Sequence, residues 1–282
     1  MARRRRQLIP WRAAGTRAEM RRNADEVVRD TGWVFNNQTG ASLTLEEFVA
    51  TGDTEVDIYI DRLGWSEIPA SATVLEIGSG IGRMTSAFSR RFDTTIATDV
   101  DAAFLERCRE TVARFGRVNA LRTVHIADGN SISVGDKSVD AVFSYITLQH
   151  CKASDALKLT SEAFRIAKPG GYVALNYRTW VPADVLLTPA GVAMRWLWRI
   201  PVLGARLAQW RWSTRLGWQA NRLDPRRVLA LLEAAKVELD DLVILHHPGR
   251  PQRDVSYMGQ PVRQRDLDVA NKSHWWLVAR CH

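Results

Sequence analysis

Cysteine is scarce in this chain: Cys108, Cys151 and Cys281 are the three among 282 residues. They are widely separated and odd in number. That spacing excludes a disulfide framework and a cysteine-based metal centre, and it reads as reduced, structural thiols. Long apolar runs are missing too. No stretch approaches the ~20 residues of a spanning helix, and the basic start at Met1–Arg6 has no apolar core of secretory length behind it. The expected location is the cytoplasm. Basic excess is also missing from the body of the chain. The net charge is +8, but residues 1–22 hold eight arginines against Glu19 and leave only about +1 for everything that follows. A nucleic-acid-binding face is therefore not expected on the folded body. The basic tail is left with two readings: weak contact with an anionic surface, or a solubilising extension.

What is present is a rhythm. Residues 1–16 read as a flexible basic tail, and 17–70 as an N-terminal helical segment with helices at 17–31, 42–50 and 56–63. From Thr73 short apolar strands alternate with helices of ten to fifteen residues. Strands are expected at 73–77, 94–98, 121–126, 139–144 and 171–176. The helices between them fall at 81–90, 102–115 and 153–167. This alternation predicts a mainly parallel sheet covered on both faces. Residues 181–223 interrupt it with five of the eleven tryptophans and six arginines against Asp184. Asp224-Pro225 then reads as an N-cap with proline at N1. Leu242–His246 and Trp275–Ala279 are the last strand candidates.

The chemistry concentrates at Glu76-Ile77-Gly78-Ser79-Gly80-Ile81-Gly82. A strand ends in an acid and runs through Gly-x-Gly-x-Gly into a helix. The dinucleotide fingerprint is Gly-x-Gly-x-x-Gly; here the third glycine arrives one residue early, and Glu76 precedes the loop. A carboxylate there is unfavourable for a pyrophosphate but suits a ligand carrying an ammonium and a sulfonium. Asp99 ends the second strand 21 residues after Gly78, the distance at which a carboxylate accepts both hydroxyls of a ribose. Asp101 is its rival and reads as the cap of the next helix. Asp128-Gly129 follows the third strand, either as an adenine contact or as an ordinary turn.

In this set and order the chain resembles the class I S-adenosylmethionine-dependent methyltransferases, strongly over Thr73–Asn176 and weakly elsewhere. The resemblance implies an α/β fold with a doubly wound, seven-stranded, mainly parallel sheet whose last strand is antiparallel, plus a helical lid inserted after strand five. It makes 71–282 one Rossmann-like domain with 181–223 as the lid or acceptor cap, and 242–246 and 275–279 the closing antiparallel pair. It also implies S-adenosylmethionine as methyl donor and S-adenosylhomocysteine as product. Glu76, Gly78, Ser79, Gly80 and Gly82 fall in the methionine-binding loop, Asp99 and Val100 at the ribose, and Asp128 and Gly129 at the adenine. Ser144 and Tyr145 stand at the end of the fourth strand, facing the methyl. Lys168-Pro169-Gly170-Gly171 is the turn into strand five.

Methyl transfer from a sulfonium is a direct displacement that needs alignment and exclusion of water. His150 is the candidate base, its ordinary pKa near ~6.5 suiting removal of a hydroxyl proton; a packing or capping histidine is the other reading. Tyr145 is the second candidate catalytic residue. Arg178, Trp180, Trp218, Asn221 and Arg222 are candidate acceptor contacts, and the indoles and arginines of 181–223 suit a sugar, a polyketide or a lipid-linked compound. The same segment is open to two further readings, a hydrophobic homodimer surface or, at Trp196, Trp198 and Arg199, a membrane surface. No metal cluster is visible, and the metal requirement stays open. Three rivals remain. A nucleic-acid or protein methyltransferase would use the basic tail, although no Asn-Pro-Pro-Tyr-like tetrapeptide for a flipped base is present. A non-catalytic S-adenosylmethionine-binding module would share the fold. An NAD-linked oxidoreductase is disfavoured by the glycine spacing and Glu76.

Overall fold

A computed structural model of the protein describes residues 23–35, 43–200, 202–208, 210–218, 221–249 and 254–282. The expected tail at 1–16, the start of the helix expected at 17–31 and the turn at 36–40 lie outside these residues. The chain divides into two compact units. One comprises 46–180 with the described residues of 221–282, and the other the described residues of 23–45 and 181–218.

The larger unit is built on an eight-stranded sheet. Its strands are β1 (Thr73–Ile77), β2 (Thr94–Asp99), β3 (Leu121–His125), β4 (Val139–Ser144), β5 (Ala167–Arg178), β6 (Leu239–His246), β9 (Arg263–Asp266) and β10 (His274–Cys281), in the order β3-β2-β1-β4-β5-β10-β6-β9. β7 (Ser256–Tyr257) and β8 (Gln260–Pro261) form a separate two-residue hairpin. The chain steps outward from β1 to β3 and then returns to β4 on the other side of β1. The switch point, where doubly wound sheets bind ligands, therefore lies between the carboxyl ends of β1 and β4. β10 runs antiparallel to both β5 and β6, so the antiparallel last strand is present as expected.

The expected count of seven strands is corrected to eight. β9 pairs in parallel with β6, from Val243 opposite Arg263 to His246 opposite Asp266. Its sequence, Arg-Gln-Arg-Asp, carries no apolar face. An edge strand buries neither face fully, and charge there protects it from pairing with another chain; the same charge hides it from a reading of hydrophobic period. The expected Lys168–Gly171 turn appears as a bulge within β5, between the pairs Val139–Ala167 and Ala141–Tyr172.

Helices cover both faces. Alternation along β1 sends Leu75 and Ile77 into one core with Leu159 and Ala163 of α5 (Ala153–Ile166) and Leu229 of α9 (Pro225–Ala234). Val74 goes to the other core, with Phe88 of α3 (Thr85–Arg91), Phe143 and Trp276. Each such fully buried side chain contributes about 1.5–3 kcal/mol. α4 (Ala102–Phe115) packs Leu105, Cys108 and Val112 against Ala97 of β2. The expected N-caps hold: Asp101 accepts from the Ala103 amide at 3.1 Å and Asp224 from the Arg226 amide at 3.0 Å. Two helix boundaries differ from expectation. The helices expected at 42–50 and 56–63 are one, α2 (Leu45–Arg62). Gly52, inside this helix, lies where a Cβ would come 2.4 Å from the Arg83 carbonyl oxygen, so close packing explains the glycine. The helix expected from Ile81 begins at Thr85, because the loop after β1 is longer.

The smaller unit holds α1 (Ala24–Phe35), α6 (Asp184–Leu197), α7 (Leu203–Ala208) and α8 (Arg211–Trp218). Met194 and Trp198 are its buried centre, with Leu197, Leu207 and Leu216 packed around them. The Trp198 indole donates to Ser213 Oγ at 3.0 Å.

Candidate active site

The glycine loop sits at the switch point and is tied to β2. Gly78, Gly80 and Gly82 have φ of +82°, +55° and +92°, a region that costs other residues about 1–2 kcal/mol each. The Gly78 and Ser79 amides both donate to the Thr98 carbonyl, at 2.8 and 2.9 Å. At Gly78 a second constraint applies: a Cβ would fall 2.1 Å from Thr147 Cγ2. Thr147 belongs to the loop after β4, and its hydroxyl donates to the Gly78 carbonyl at 3.3 Å. Ser144 adds a hydroxyl bond to the Ile77 carbonyl at 3.1 Å. The missing side chain thus lets the β1 and β4 loops touch.

Two carboxylates are buried against this loop. Asp99 accepts from the Gly80 amide at 3.0 Å and the Asp101 amide at 2.8 Å, yet burial still pushes its pKa up to about 6. Glu76 accepts from the Thr85 hydroxyl at 2.6 Å, and burial pushes its pKa up to about 7 against the opposing influence of Thr85 and Arg83. Burial disfavours the charged form, so both groups gain from a ligand that brings donors or positive charge. Val100 packs half-buried beside Asp99. Asp128 is committed locally, accepting from the Asn130 and Ser131 amides at 3.0 and 2.9 Å and from the Ser131 hydroxyl. Gly129 follows with φ +81°.

The β4 loop is held from several sides. Tyr145 stacks on Trp276, with centroids 5.6 Å apart and planes 8° from parallel, and meets Tyr59 at 4.8 Å. Burial and the nearby Glu55 raise its hydroxyl to about 12, which keeps it protonated. Ile146 has φ +50°, a strained conformation for a β-branched residue, and its amide donates to Asn176 Oδ1 at 3.3 Å. Strain of this kind concentrates at functional sites. His150 ends the short 3₁₀ turn Leu148–His150, with its Nε2 3.2 Å from the Gln149 amide nitrogen, while Gln149 Oε1 lies 2.6 Å from His274 Nε2. An amide nitrogen only donates. His150 Nε2 therefore accepts, and the ring's proton sits on Nδ1.

The residues expected to touch an acceptor are scattered. Asn221 donates through Nδ2 to the Leu148 and Cys151 carbonyls at 2.6 and 2.8 Å, which spends that amide group on holding the 148–151 turn. Arg178 is buried at the end of β5, with Nη1 3.4 Å from Ser273 Oγ. Arg222 is half-buried and Trp180 exposed. Trp218 ends α8 in the smaller unit, and its side chain lies outside the described ones.

A profile of the family described as "Methyltransferase domain" matches residues 75–175, from the middle of β1 to the heart of β5. This stretch, less than half of the chain, is similar to methyltransferase domains. Among similar proteins, a malonyl-[acyl-carrier protein] O-methyltransferase of Marinomonas sp. strain MWYL1 is 33% identical over 107 residues, covering 36% of this chain and 37% of its own. An uncharacterized methyltransferase of Mycobacterium sp. strain KMS is 32% identical over 113 residues, covering 40% and 41%. The chain thus spans well under half the length of these curated relatives. Magnesium protoporphyrin IX methyltransferase from Synechocystis PCC 6803, solved with bound SAH, superposes with a TM-score of 0.50 at 13% identity over 92% of this chain and 98% of its own. That likeness is one of fold.

The methyltransferase domain's donor set fits S-adenosylmethionine. Asp99 offers a carboxylate to ribose hydroxyls, and Glu76 offers one to a cationic amino-acid end. Sequence reading missed the supports of this set. Gln149 stands beside His150, but its partner His274 is 125 residues away, and no periodic signal joins them. Arg83 follows the last glycine directly, yet its 2.6 Å ion pair with Glu55 and its approach to the Phe48 ring depend on α2 lying against the loop. Among the described residues no group of three or more His, Cys, Asp or Glu side chains is arranged to hold a metal ion. No helix among them is long and apolar enough to cross a membrane.

Proposed function

We propose that this chain methylates a hydroxyl oxygen of a small molecule, a sugar, polyketide or lipid-linked compound, with S-adenosylmethionine as donor. The observation that carries the reading is the pair of buried carboxylates, Glu76 and Asp99, joined at the switch point by a glycine loop that itself donates to Asp99. Supporting it, the Marinomonas relative is named as an O-methyltransferase.

When bound, S-adenosylmethionine supplies an electrophilic methyl group on a sulfonium. The chain's residues do the rest. Asp99, with Val100 beside it, holds the ribose through charge-assisted hydrogen bonds. Glu76 and the loop of Gly78, Ser79, Gly80 and Gly82 take the amino-acid end, and Asp128 and Gly129 border the adenine. Ser144 and Tyr145 close the methyl end, with Tyr145 kept neutral and held flat by Trp276. His150 takes the acceptor's proton. In the tautomer set by Gln149 its one basic nitrogen is Nε2, and the acceptor hydroxyl must displace the Gln149 N–H to reach it. Asn221 positions the turn that carries His150. Arg178, Trp180 and Arg222 bound the acceptor side. The segment 181–223, entered at the carboxyl end of β5, is the inserted part of the 71–282 domain that we assign to acceptor recognition. The buried thiols Cys108, Cys151 and Cys281 form no disulfide, as suits an enzyme of the reducing cytoplasm.

The test is transfer of label from methyl-labelled S-adenosylmethionine to a panel of hydroxylated acceptors, with Asp99→Ala as control. Labelled ether product that disappears in the variant supports the reading. Transfer to nitrogen, carbon or RNA instead would overturn the assigned acceptor.

A further inference from the structure

The smaller unit exposes an apolar surface that its own packing does not require. Of the fourteen exposed large hydrophobic residues among those described, ten fall between 181 and 220. Three of them, Val185, Val192 and Trp196, share one side of α6. Gly191, Met194 and Trp198 form its buried stripe, and Gly191 comes so near α8 that a Cβ would stand 2.6 Å from the Leu216 carbonyl oxygen. On the opposite side Val185, Pro189, Val192 and Trp196 recur at helical spacing, all exposed, with Trp196 65% exposed. A helix apolar on both sides has one face without a partner. Trp210 and Trp212, each 53% exposed with ring centroids 5.7 Å apart, add a second aromatic pair in this unit. Apolar surface on this scale marks an interaction site.

Charge selects the partner. Residues 181–220 contain five arginines and one acid, Asp184. Asp184 is buried and accepts from the Val181 amide at 2.9 Å, and it is outnumbered five to one. Arg199 lies over the exposed Trp196 ring at 5.0 Å, which places a cation beside the apolar stripe. Two copies meeting through this face would bring their arginines together, and like charges oppose such a contact. An anionic lipid surface satisfies both features: acyl chains take the stripe, indoles sit at the headgroup level and guanidinium groups meet phosphates.

We propose that the outer face of α6, with the Trp210–Trp212 pair, docks this protein on anionic membranes as a peripheral, non-spanning contact. The experiment uses the full chain, so that the basic N-terminal segment is present in every sample. Wild type and the double variant Val192→Glu/Trp196→Glu are floated with vesicles of phosphatidylcholine alone and of phosphatidylcholine with one quarter phosphatidylglycerol. Both positions are exposed, so the variant should keep its melting temperature and its S-adenosylhomocysteine affinity. The expected result is wild-type binding at least tenfold stronger to the anionic vesicles, and at least a tenfold loss in the double variant. Absence of wild-type flotation would overturn the proposal. So would equal flotation of variant and wild type, which would assign lipid binding to the basic N-terminal segment alone. A wild-type dimer in light scattering that the double variant converts to monomer, without lipid binding, would assign the face to self-association instead.

Discussion

The Gln149 side chain donates from its amide nitrogen to Nε2 of His150 at 3.2 Å. Its oxygen is held at 2.6 Å by Nε2 of His274, which arrives on the antiparallel strand β10. Through Gln149 the tautomer of His150 is coupled to that of His274 across the sheet.

This relationship predicts the outcome of Gln149→Glu. A carboxylate in place of the amide favours protonated His150. The acid limb of the kcat/KM profile should then move upward by about one pH unit, with S-adenosylmethionine affinity nearly unchanged. A profile that stays in place in the variant would remove His150 from proton transfer and leave it a packing residue.

Asp99→Ala removes the carboxylate assigned to the ribose. Charge-assisted hydrogen bonds contribute about 1.5–3 kcal/mol each, so S-adenosylhomocysteine should bind at least a hundredfold more weakly by calorimetry. The fold should survive, because the Gly80 and Asp101 amides can bond water at the opened site. Equal affinity in wild type and variant would refute the ribose assignment.

The two buried carboxylates also set a pH dependence. Their folded-state pKa values, about 6 for Asp99 and about 7 for Glu76, lie above the ordinary values of 3.8 and 4.5. The folded protein therefore holds more protons than the unfolded chain between pH 4 and 7, and stability falls as pH rises through that window. The contribution of these groups should make the ligand-free protein melt higher at pH 5 than at pH 8. Glu76→Gln should lessen the slope and raise the pH 8 melting temperature by roughly a few degrees. S-adenosylhomocysteine should bind with proton release near pH 6, read as a buffer-dependent heat. A melting temperature that does not respond to pH in wild type would contradict the assignment.

Asn221→Leu leaves the Leu148 and Cys151 carbonyls without their side-chain donor. The loss of two buried hydrogen bonds should cost about 2–4 kcal/mol of stability. It should lower kcat while leaving the KM for S-adenosylmethionine within about twofold, because the 148–151 turn carries His150 and not Asp99. A rise in the acceptor KM alone would place Asn221 against the acceptor.

Glu76, the three glycines and Asp99 were legible because short-range backbone chemistry dictates them. Glycine is required where φ is positive and the backbone must lie open, and a strand end followed by a helix start fixes where that loop faces. The inner strands β1 and β4 were legible because burial on both faces makes their sequences mainly apolar. β9 was not, since an edge strand is free to be charged. α2 was read as two helices, and Gly52 within it answers to Arg83, a neighbour 31 positions away.

Residue types and their local spacing, by themselves, determined the parallel sheet, the loop at its switch point and the two carboxylates beside that loop. These depend on interactions within about thirty residues, and local geometry leaves them few alternatives. Tertiary packing alone decided the Gln149 bridge between His150 and His274, the use of Asn221 as a strut and the outward apolar stripe of α6. Each depends on which distant segment lies against it, and one-dimensional spacing does not encode that choice.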